Sequence, residues 1–179
     1  MFINCKITYP KGVSNQMSLE LLFQRRSIRS YQDRPVEDDK IKKLIEAGMA
    51  APSARNIRPW HFVVIKDREI LNKITDIHPY SSMLREAPMA IAVCGKHSEP
   101  YWVQDCSAAM QNILLAATAQ GLGSVWLGIY PREDRTQEVK DLLDLPEEIS
   151  PLGVTAIGYP NETKPQKEMY EEDKVTVIE

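Results

Sequence analysis

Cysteine is scarce in this chain of 179 residues: Cys5, Cys94 and Cys106 are odd in number and show no C-x-x-C spacing. That excludes a disulfide framework and a cysteine-based zinc cluster. Two of the three sit inside apolar segments, where free buried thiols in a reducing compartment are expected. Long apolar runs are missing too. None reaches ~18 residues, so no membrane-spanning helix is expected. The opening FINCKITYPKG has too short an apolar start for a signal peptide. Together these absences point to a soluble, cytoplasmic protein. Charge of one sign is also lacking: 22 Lys and Arg against 25 Asp and Glu give a net charge of -3. No global field draws the chain to nucleic acid or to an anionic membrane, and any anion site must be local. The three histidines, His61, His78 and His97, form no H-x-x-x-H pair, and no serine, histidine and acid fall at nucleophile spacing. Each histidine reads as structural or solvent-exposed. Repeats and low-complexity tracts are absent.

What is present is ordinary globular material, 43% hydrophobic and 26% charged, in a length that suits one well-buried domain. Its organising stretch is Trp102 to Tyr130. The first part predicts a helix that is apolar nearly all round, with a polar strip of Gln104, Asp105, Ser107, Gln111, Asn112 and Thr118. Such a helix belongs inside a core or an interface. Gly121 and Gly123 fit a helix stop with a left-handed residue, and Ser124 to Ile129 reads as a buried strand interrupted by Gly128. The glycine spacing is G-x-G-x4-G and a helix precedes it, so a dinucleotide fingerprint is rejected. Gly128 either lets a flat ligand or another backbone come close, or merely relieves packing.

Residues 1 to 17 read as a polar, loosely tied lead. From Ser18, a fair N-cap, a helix carries Leu19, Leu22 and Phe23 on its apolar face and ends at Arg25, Arg26 and Ser27, with Ile28 to Tyr31 extended behind it. Arg25 and Arg26 suit the negative end of a helix dipole; Arg29 is not explained that way. Guanidinium groups and a serine hydroxyl within five residues also make a phosphate clamp, since arginine matches phosphate bidentately, and both readings stand at this point. The next helix starts with acids at Glu37, Asp38 and Asp39 and buries Ile41, Leu44, Ile45 and Met49. The loop PSARNIRPW then places Ser53, Asn56 and Arg58 between two prolines, ahead of a strand from His61 to Ile65, and reads as a functional loop or a rigid connector. Further strands are expected at Pro88 to Gly95 and Leu152 to Gly158, with amphipathic helices at Asp67 to Ile77 and Glu133 to Leu143. Four core strands spaced by helices imply a three-layer α/β domain. The charged last twenty residues end in the strand-like VTVI with no partner in sequence, most simply an arm laid over a neighbour.

The order of these motifs resembles the FMN-dependent nitroreductases, over roughly residues 18 to 179. The resemblance rests on RRSIR at 25 to 29, PSARNIRPWHFVV at 52 to 64, EAPMAIAVC at 86 to 94, DCSAAMQNILLAA and GLGSVWLGIYP between 105 and 131, and IGYP at 157 to 160. It implies an α/β (α+β) nitroreductase-like fold, a mixed central sheet flanked by helices, in an obligate homodimer whose long central helices pack together and whose C-terminal strands are exchanged. The whole chain, 1 to 179, would be one domain with a core at 18 to 160 and an arm at 161 to 179. FMN would sit at the dimer interface. By the resemblance, Arg25, Arg26, Ser27 and Arg29 grip FMN, with Arg25 and Ser27 at the phosphate and Arg29 at the pyrimidine edge of the ring. Pro52, Ser53, Ala54 and Asn56 resemble the loop that the partner subunit lays against ring and ribityl chain, Leu127 and Gly128 the strand whose backbone approaches flavin N5, and Lys167 a second phosphate cation. Two positions depart from the pattern: Arg58 stands where glutamine is usual, and Met169 where an arginine often follows the tail lysine.

The implied activity is a ping-pong oxidoreductase that takes electrons from NAD(P)H and passes them to a small electron-poor acceptor, a nitroaromatic or a quinone, with the cofactor performing the chemistry and the protein tuning it. A flavin reductase or a dehalogenase-type reductase on the same fold is the second enzyme reading. A flavin-binding module without turnover is the alternative of a different class. Nucleic-acid binding through the arginine cluster is disfavoured by the acidic balance.

Overall fold

A computed structural model describes residues 15–166 and 168–179. Cys5 and most of the polar lead fall outside the described residues, as does Lys167. In chain order the elements are α1 (Asn15–Gln24), α2 (Asp38–Met49), β1 (Trp60–Ile65), α3 (Arg68–Ile77), β2 (Met89–Lys96), α4 (Trp102–Ala119), β3 (Gly123–Gly128), α5 (Glu133–Leu142) and β4 (Ile149–Gly158). Short 3-10 turns lie at Ala54–Asn56, Ser82–Arg85 and Glu172–Lys174. The first helix begins before the expected Ser18, because Asn15, Gln16 and Met17 contain no residue that breaks a helix.

The four strands form one sheet in the order β1-β2-β4-β3. Every named pair is antiparallel. The parallel component of the expected mixed sheet is confined to an isolated bridge between Ser27 and Ser124. Alternation along the strands sends side chains to two cores. On β2, Ala90, Ala92 and Cys94 join Leu71, Ile74, Leu127 and Val139 under α3 and α5. Met89, Ile91 and Val93 face the other way and pack with Leu44, Cys106, Met110, Ile113 and Ala117 under α2 and α4. That is the three-layer arrangement the sequence predicts.

Helix α4 is buried at Trp102, Asp105, Cys106, Ala109, Met110, Ile113, Leu114 and Ala117. Its polar strip does not face water as a unit. Asp105 is only 8% exposed, and Asn112 Nδ2 donates to the Ala47 carbonyl of α2. The helix ends at a left-handed Gly121, φ 72°. Cys94 and Cys106 are free and buried, as expected, and burial pushes both thiols up to about 12.

Two apolar faces do not behave as expected. Met49 is 52% exposed because α2 turns Ile41, Leu44 and Gly48 inward, and Met49 stands one position further round the wheel. Leu19, Leu22 and Phe23 on α1 are also exposed, so the amphipathic face finds no cover among the described residues. The tail run 175–178 pairs with no strand among the described residues, and Val177 and Ile178 lie open to solvent.

Candidate functional site

The arginine segment is held by its neighbours rather than by its own charges. Ser27 bridges Ser124 at the start of β3, and Ile28 N donates to the Ser124 carbonyl at 3.0 Å. Ile28 can approach that closely because residue 123 is glycine: a Cβ there would stand 2.7 Å from Ile28 Cγ2. The buried Tyr31 hydroxyl donates to the Ile28 carbonyl at 2.7 Å and reaches the Ala156 carbonyl of β4 at 3.2 Å. Burial raises its pKa well above the usual phenol value. On the far flank, Asn161 N donates to the Ser30 carbonyl, so residues 161–165 run back beside residues 27–30.

These anchors surround a cleft of about 420 Å³ lined by Arg25, Arg26, Ser27, Arg29, Lys164, Pro165 and Met169. The four residues expected to grip FMN are therefore together. Sequence reasoning missed Lys164. Its Nζ donates to the Ser27 carbonyl at 2.6 Å and pairs with Glu162 at 3.1 Å. Glu162 in turn accepts the Arg29 backbone N–H, which holds its carboxyl below the ordinary range. Only the return of 161–165 to this edge brings Lys164 in, and no local pattern in NETKP announces that. Met169 lies at the mouth of the cleft, in the place where the resemblance leads one to expect arginine.

The loop from Pro52 to Arg58 is elsewhere. It feeds β1, three strand spacings of about 4.8 Å each from β3. One chain therefore does not bring Pro52, Ser53, Ala54 or Asn56 to the arginine cleft. The loop is strongly shaped: Arg55, Asn56 and Arg58 all have positive φ, at 52°, 56° and 54°. Left-handed non-glycine residues in such number are held by surrounding structure and cluster at functional sites. Here the Asp105 carboxylate accepts the Ala54 N–H at 3.0 Å, Ser53 Oγ accepts the Arg58 N–H at 2.9 Å, and Asn56 Oδ1 accepts Arg58 Nε at 2.8 Å. The departure from glutamine at position 58 thus has a local use: Arg58 latches the loop to itself.

Leu127 and Gly128 close the list on β3. The Leu127 side chain is buried beneath α3 and α5, so only its backbone is available to a ligand. Gly128 is exposed, and a Cβ built on it would meet nothing within 4 Å. Packing relief does not explain this glycine. An open backbone surface on the same edge strand as the arginine cleft is what a flat ligand would use.

Comparison with known proteins decides the family. The nitroreductase family profile matches residues 22–78 and 78–159. A relative in Methanothermobacter thermautotrophicus, provisionally named an NADH dehydrogenase/NAD(P)H nitroreductase, is 47% identical over 91% of this chain and 87% of its own.

The chain belongs to the nitroreductase family. Among solved structures, a provisionally named NADH dehydrogenase/NAD(P)H nitroreductase of Bacteroides thetaiotaomicron superposes with a TM-score of 0.89 at 45% identity, covering 92% of this chain and 98% of that one. A provisionally named nitroreductase of Desulfovibrio desulfuricans, solved in complex with FMN, gives a TM-score of 0.78 at 30% identity, over 90% of this chain and 96% of that one. The expected fold and the expected class, an oxidoreductase enzyme, are borne out at this level. No helix among the described residues is long and apolar enough to cross a membrane.

The residues of this nitroreductase-family chain fit a flavin mononucleotide by two independent observations. Arg26 Nε is buried without a hydrogen-bond partner among the described residues, and Arg25 and Arg29 form no ion pair there, so guanidinium donors remain for an anion. Gly128 leaves one side of the strand bare.

Proposed function

We propose that this chain is an FMN-dependent oxidoreductase that accepts electrons from NAD(P)H and, in ping-pong order, delivers them to a small electron-poor acceptor of the nitroaromatic or quinone kind. The observation that carries the reading is the convergence of Arg25, Arg26, Ser27 and Arg29 with Lys164 on one cleft, beside a strand whose Gly128 is open. When bound, FMN supplies the hydride acceptance and the electron delivery; the chain supplies binding, orientation and electrostatics. Arg25 and Ser27 hold the phosphate, and the partnerless Arg26 Nε adds a buried donor. Arg29 places a fixed positive charge at the pyrimidine edge, where negative charge accumulates on reduction. Lys167 is a further phosphate cation in this reading, and Lys164 already stands at the cleft.

The functional unit is a homodimer. Pro52, Ser53, Ala54 and Asn56 leave from the opposite edge of the sheet, so they reach a flavin only from a second copy. Leu19, Leu22 and Phe23 of α1, exposed among the described residues, and the 175–178 run, unpaired among them, give that copy an apolar surface and a strand to dock, with residues 161–179 as the arm. One domain, 1 to 179, then completes its core by association.

The test begins with the purified protein. A flavin absorption spectrum, a dimer in sedimentation, and loss of the visible band under anaerobic NADH or NADPH are expected. A colourless monomer that ignores added FMN overturns the reading. A reducible flavin that turns over free flavin or a halogenated aromatic faster than nitroaromatics would move the acceptor class.

A further inference from the structure

The peptide directions along β3 single out one carbonyl. Ile129 N donates to the Leu152 carbonyl, so residue 129 faces β4; Ile28 N donates to the Ser124 carbonyl, so residue 124 faces the other way. Since successive residues of a strand alternate, the N–H and C=O groups of Ser124, Trp126 and Gly128 all point to the free edge. At Ser124 the arginine segment occupies that edge. At Gly128 the edge is open, yet its carbonyl is taken: Arg135 Nη1, from the first turn of α5, donates to it at 3.0 Å.

A second group stands behind the first. His78 is 5% exposed, and its Nδ1 accepts the Tyr80 N–H at 3.2 Å. The ring therefore carries its proton on Nε2 when neutral. Burial and the nearby Arg135 favour the neutral ring, while the Gly128 carbonyl acts to keep a proton on it. The loop that presents His78 is rigid, because Ser81 is fully buried with its Oγ donating to the His78 carbonyl at 2.6 Å, and His78 N donates to the Ile74 carbonyl. Arg135 of α5 thus bonds directly to the Gly128 carbonyl of β3, and His78, just past the end of α3, stands near both.

We propose that Arg135, with His78 near it, is a positioning pair: by fixing the Gly128 carbonyl it holds the Gly128–Ile129 peptide and restrains the Gly128 backbone torsion, and so keeps the preceding peptide, which carries the Gly128 N–H, facing the reactive edge of the flavin. The proposal rests on the flavin reading above. Neither residue touches the cofactor in it. Their contribution is to a backbone whose missing side chain makes it the least restrained point of the strand, and which a guanidinium restrains from outside.

The test uses the full-length, FMN-loaded protein with glycine labelled by nitrogen-15, which gives at most eight backbone resonances. Arg135→Met is compared with Arg135→Lys and His78→Gln. Expected for Arg135→Met is a shifted or broadened Gly128 amide, about tenfold weaker FMN binding and a displaced flavin midpoint potential, with the apoprotein melting within a few degrees of wild type. Arg135→Lys restores the amide position in part, and His78→Gln gives a smaller displacement in the same direction. A purely structural latch would lower the melting temperature and leave the potential of retained flavin unmoved, which overturns the proposal. So does an unchanged Gly128 amide and unchanged flavin affinity in Arg135→Met while wild type binds FMN; in that case the flavin reading survives. Wild-type protein that takes up no FMN overturns both, and is told apart by that measurement alone. Should Arg135→Met fail to fold, the lysine and glutamine variants decide by the same readouts.

Discussion

The arginine segment, residues 25–29, and the loop, residues 52–58, are both expected to serve one cofactor, yet they are built in opposite ways. The first is nearly relaxed backbone beside β3, held by Tyr31 and by the return of 161–165, and its guanidinium groups are uncommitted among the described residues. The second is three left-handed residues pinned by Asp105 and by its own side chains at the far edge of the sheet. One region stores ligand-binding capacity, the other stores shape. A site assembled from two copies can divide labour in this way, because the loop must keep its form without the ligand while the cleft need only wait for charge.

The sharpest way to break the contrast is to remove the uncommitted charge. Arg25→Ala with Arg29→Ala deletes two charge-assisted partners, each worth about 1.5 to 3 kcal/mol, so FMN affinity falls by roughly a hundredfold or more in a fluorescence titration. Folding stability stays near wild type, since neither guanidinium is engaged within the described chain. A large loss of stability in denaturant would show that the segment is a structural brace instead.

Next in size is a pair of glycines that face each other across β3 and β4, Gly128 and Gly153. A Cβ at Gly153 would lie 2.6 Å from Trp126 Nε1 and 2.9 Å from the Leu127 carbonyl, which cannot move aside. Gly153→Ala costs about 1 to 3 kcal/mol of stability. Gly128→Ala meets nothing, and stability holds or rises by up to about 1 kcal/mol. Its methyl occupies the surface the flavin needs, so binding weakens while folding does not. Equal flavin affinity in Gly128→Ala would remove β3 from the site.

The loop answers to a different change. Asp105→Ala leaves the Ala54 N–H without its acceptor in a half-buried place and costs about 1 to 3 kcal/mol, measured by urea unfolding. Asp105→Asn keeps an oxygen and recovers most of it. If flavin affinity falls in proportion to loop stability, the loop acts as shape; if it falls with stability intact, Asp105 reaches the ligand through another route.

The comparison also marks how far the residues alone could be read. Periodicity found all four strands and the helices around them, and α4 begins at Trp102 as expected, because a run with so few polar positions has one period that buries it. The resemblance also named four of the seven residues that line the cleft, Arg25, Arg26, Ser27 and Arg29. It could not see Lys164, whose place depends on Asn161 meeting Ser30 across 131 positions of chain, a long-range pairing with no local signature. Nor could it find Asp105 as a loop anchor, since an acid on an apolar helix reads as solvent-facing until its partner from another segment is known. The mixed sheet it expected dwindles to one bridge, because the parallel neighbour of β3 is a short irregular segment instead of a strand. His78 reads in sequence as structural or solvent-exposed; it is buried, and its nearness to Gly128 and Arg135 depends on segments far apart in the chain.

The smallest expected effect concerns acid, and it separates the two regions by what holds each in place. Behind the arginine segment, the Glu37 carboxylate accepts the Tyr159 hydroxyl at 2.7 Å and pairs with Arg34 at 2.8 Å, while Arg34 also stacks 3.8 Å above the Tyr159 ring. The Tyr159 hydroxyl, then the backbone and Arg34, hold the Glu37 carboxyl at about 2, against an ordinary 4.5. A carboxylate whose folded value is depressed contributes stability above its unfolded value and loses it as pH falls through the folded one, so this contribution is complete above about 4.5 and gone near 2. The Glu37 side chain is 43% exposed, and solvent screening keeps the effect small. Tyr159→Phe should therefore lower the melting temperature slightly above pH 5, converge on wild type near pH 2, and flatten the decline between. Glu162 titrates in the same direction under the Arg29 N–H, and it remains in the variant as the residual slope. A Tyr159→Phe curve parallel to wild type throughout the acid range would show that Glu162 and other carboxylates, and not Glu37, set the acid sensitivity of the arginine edge.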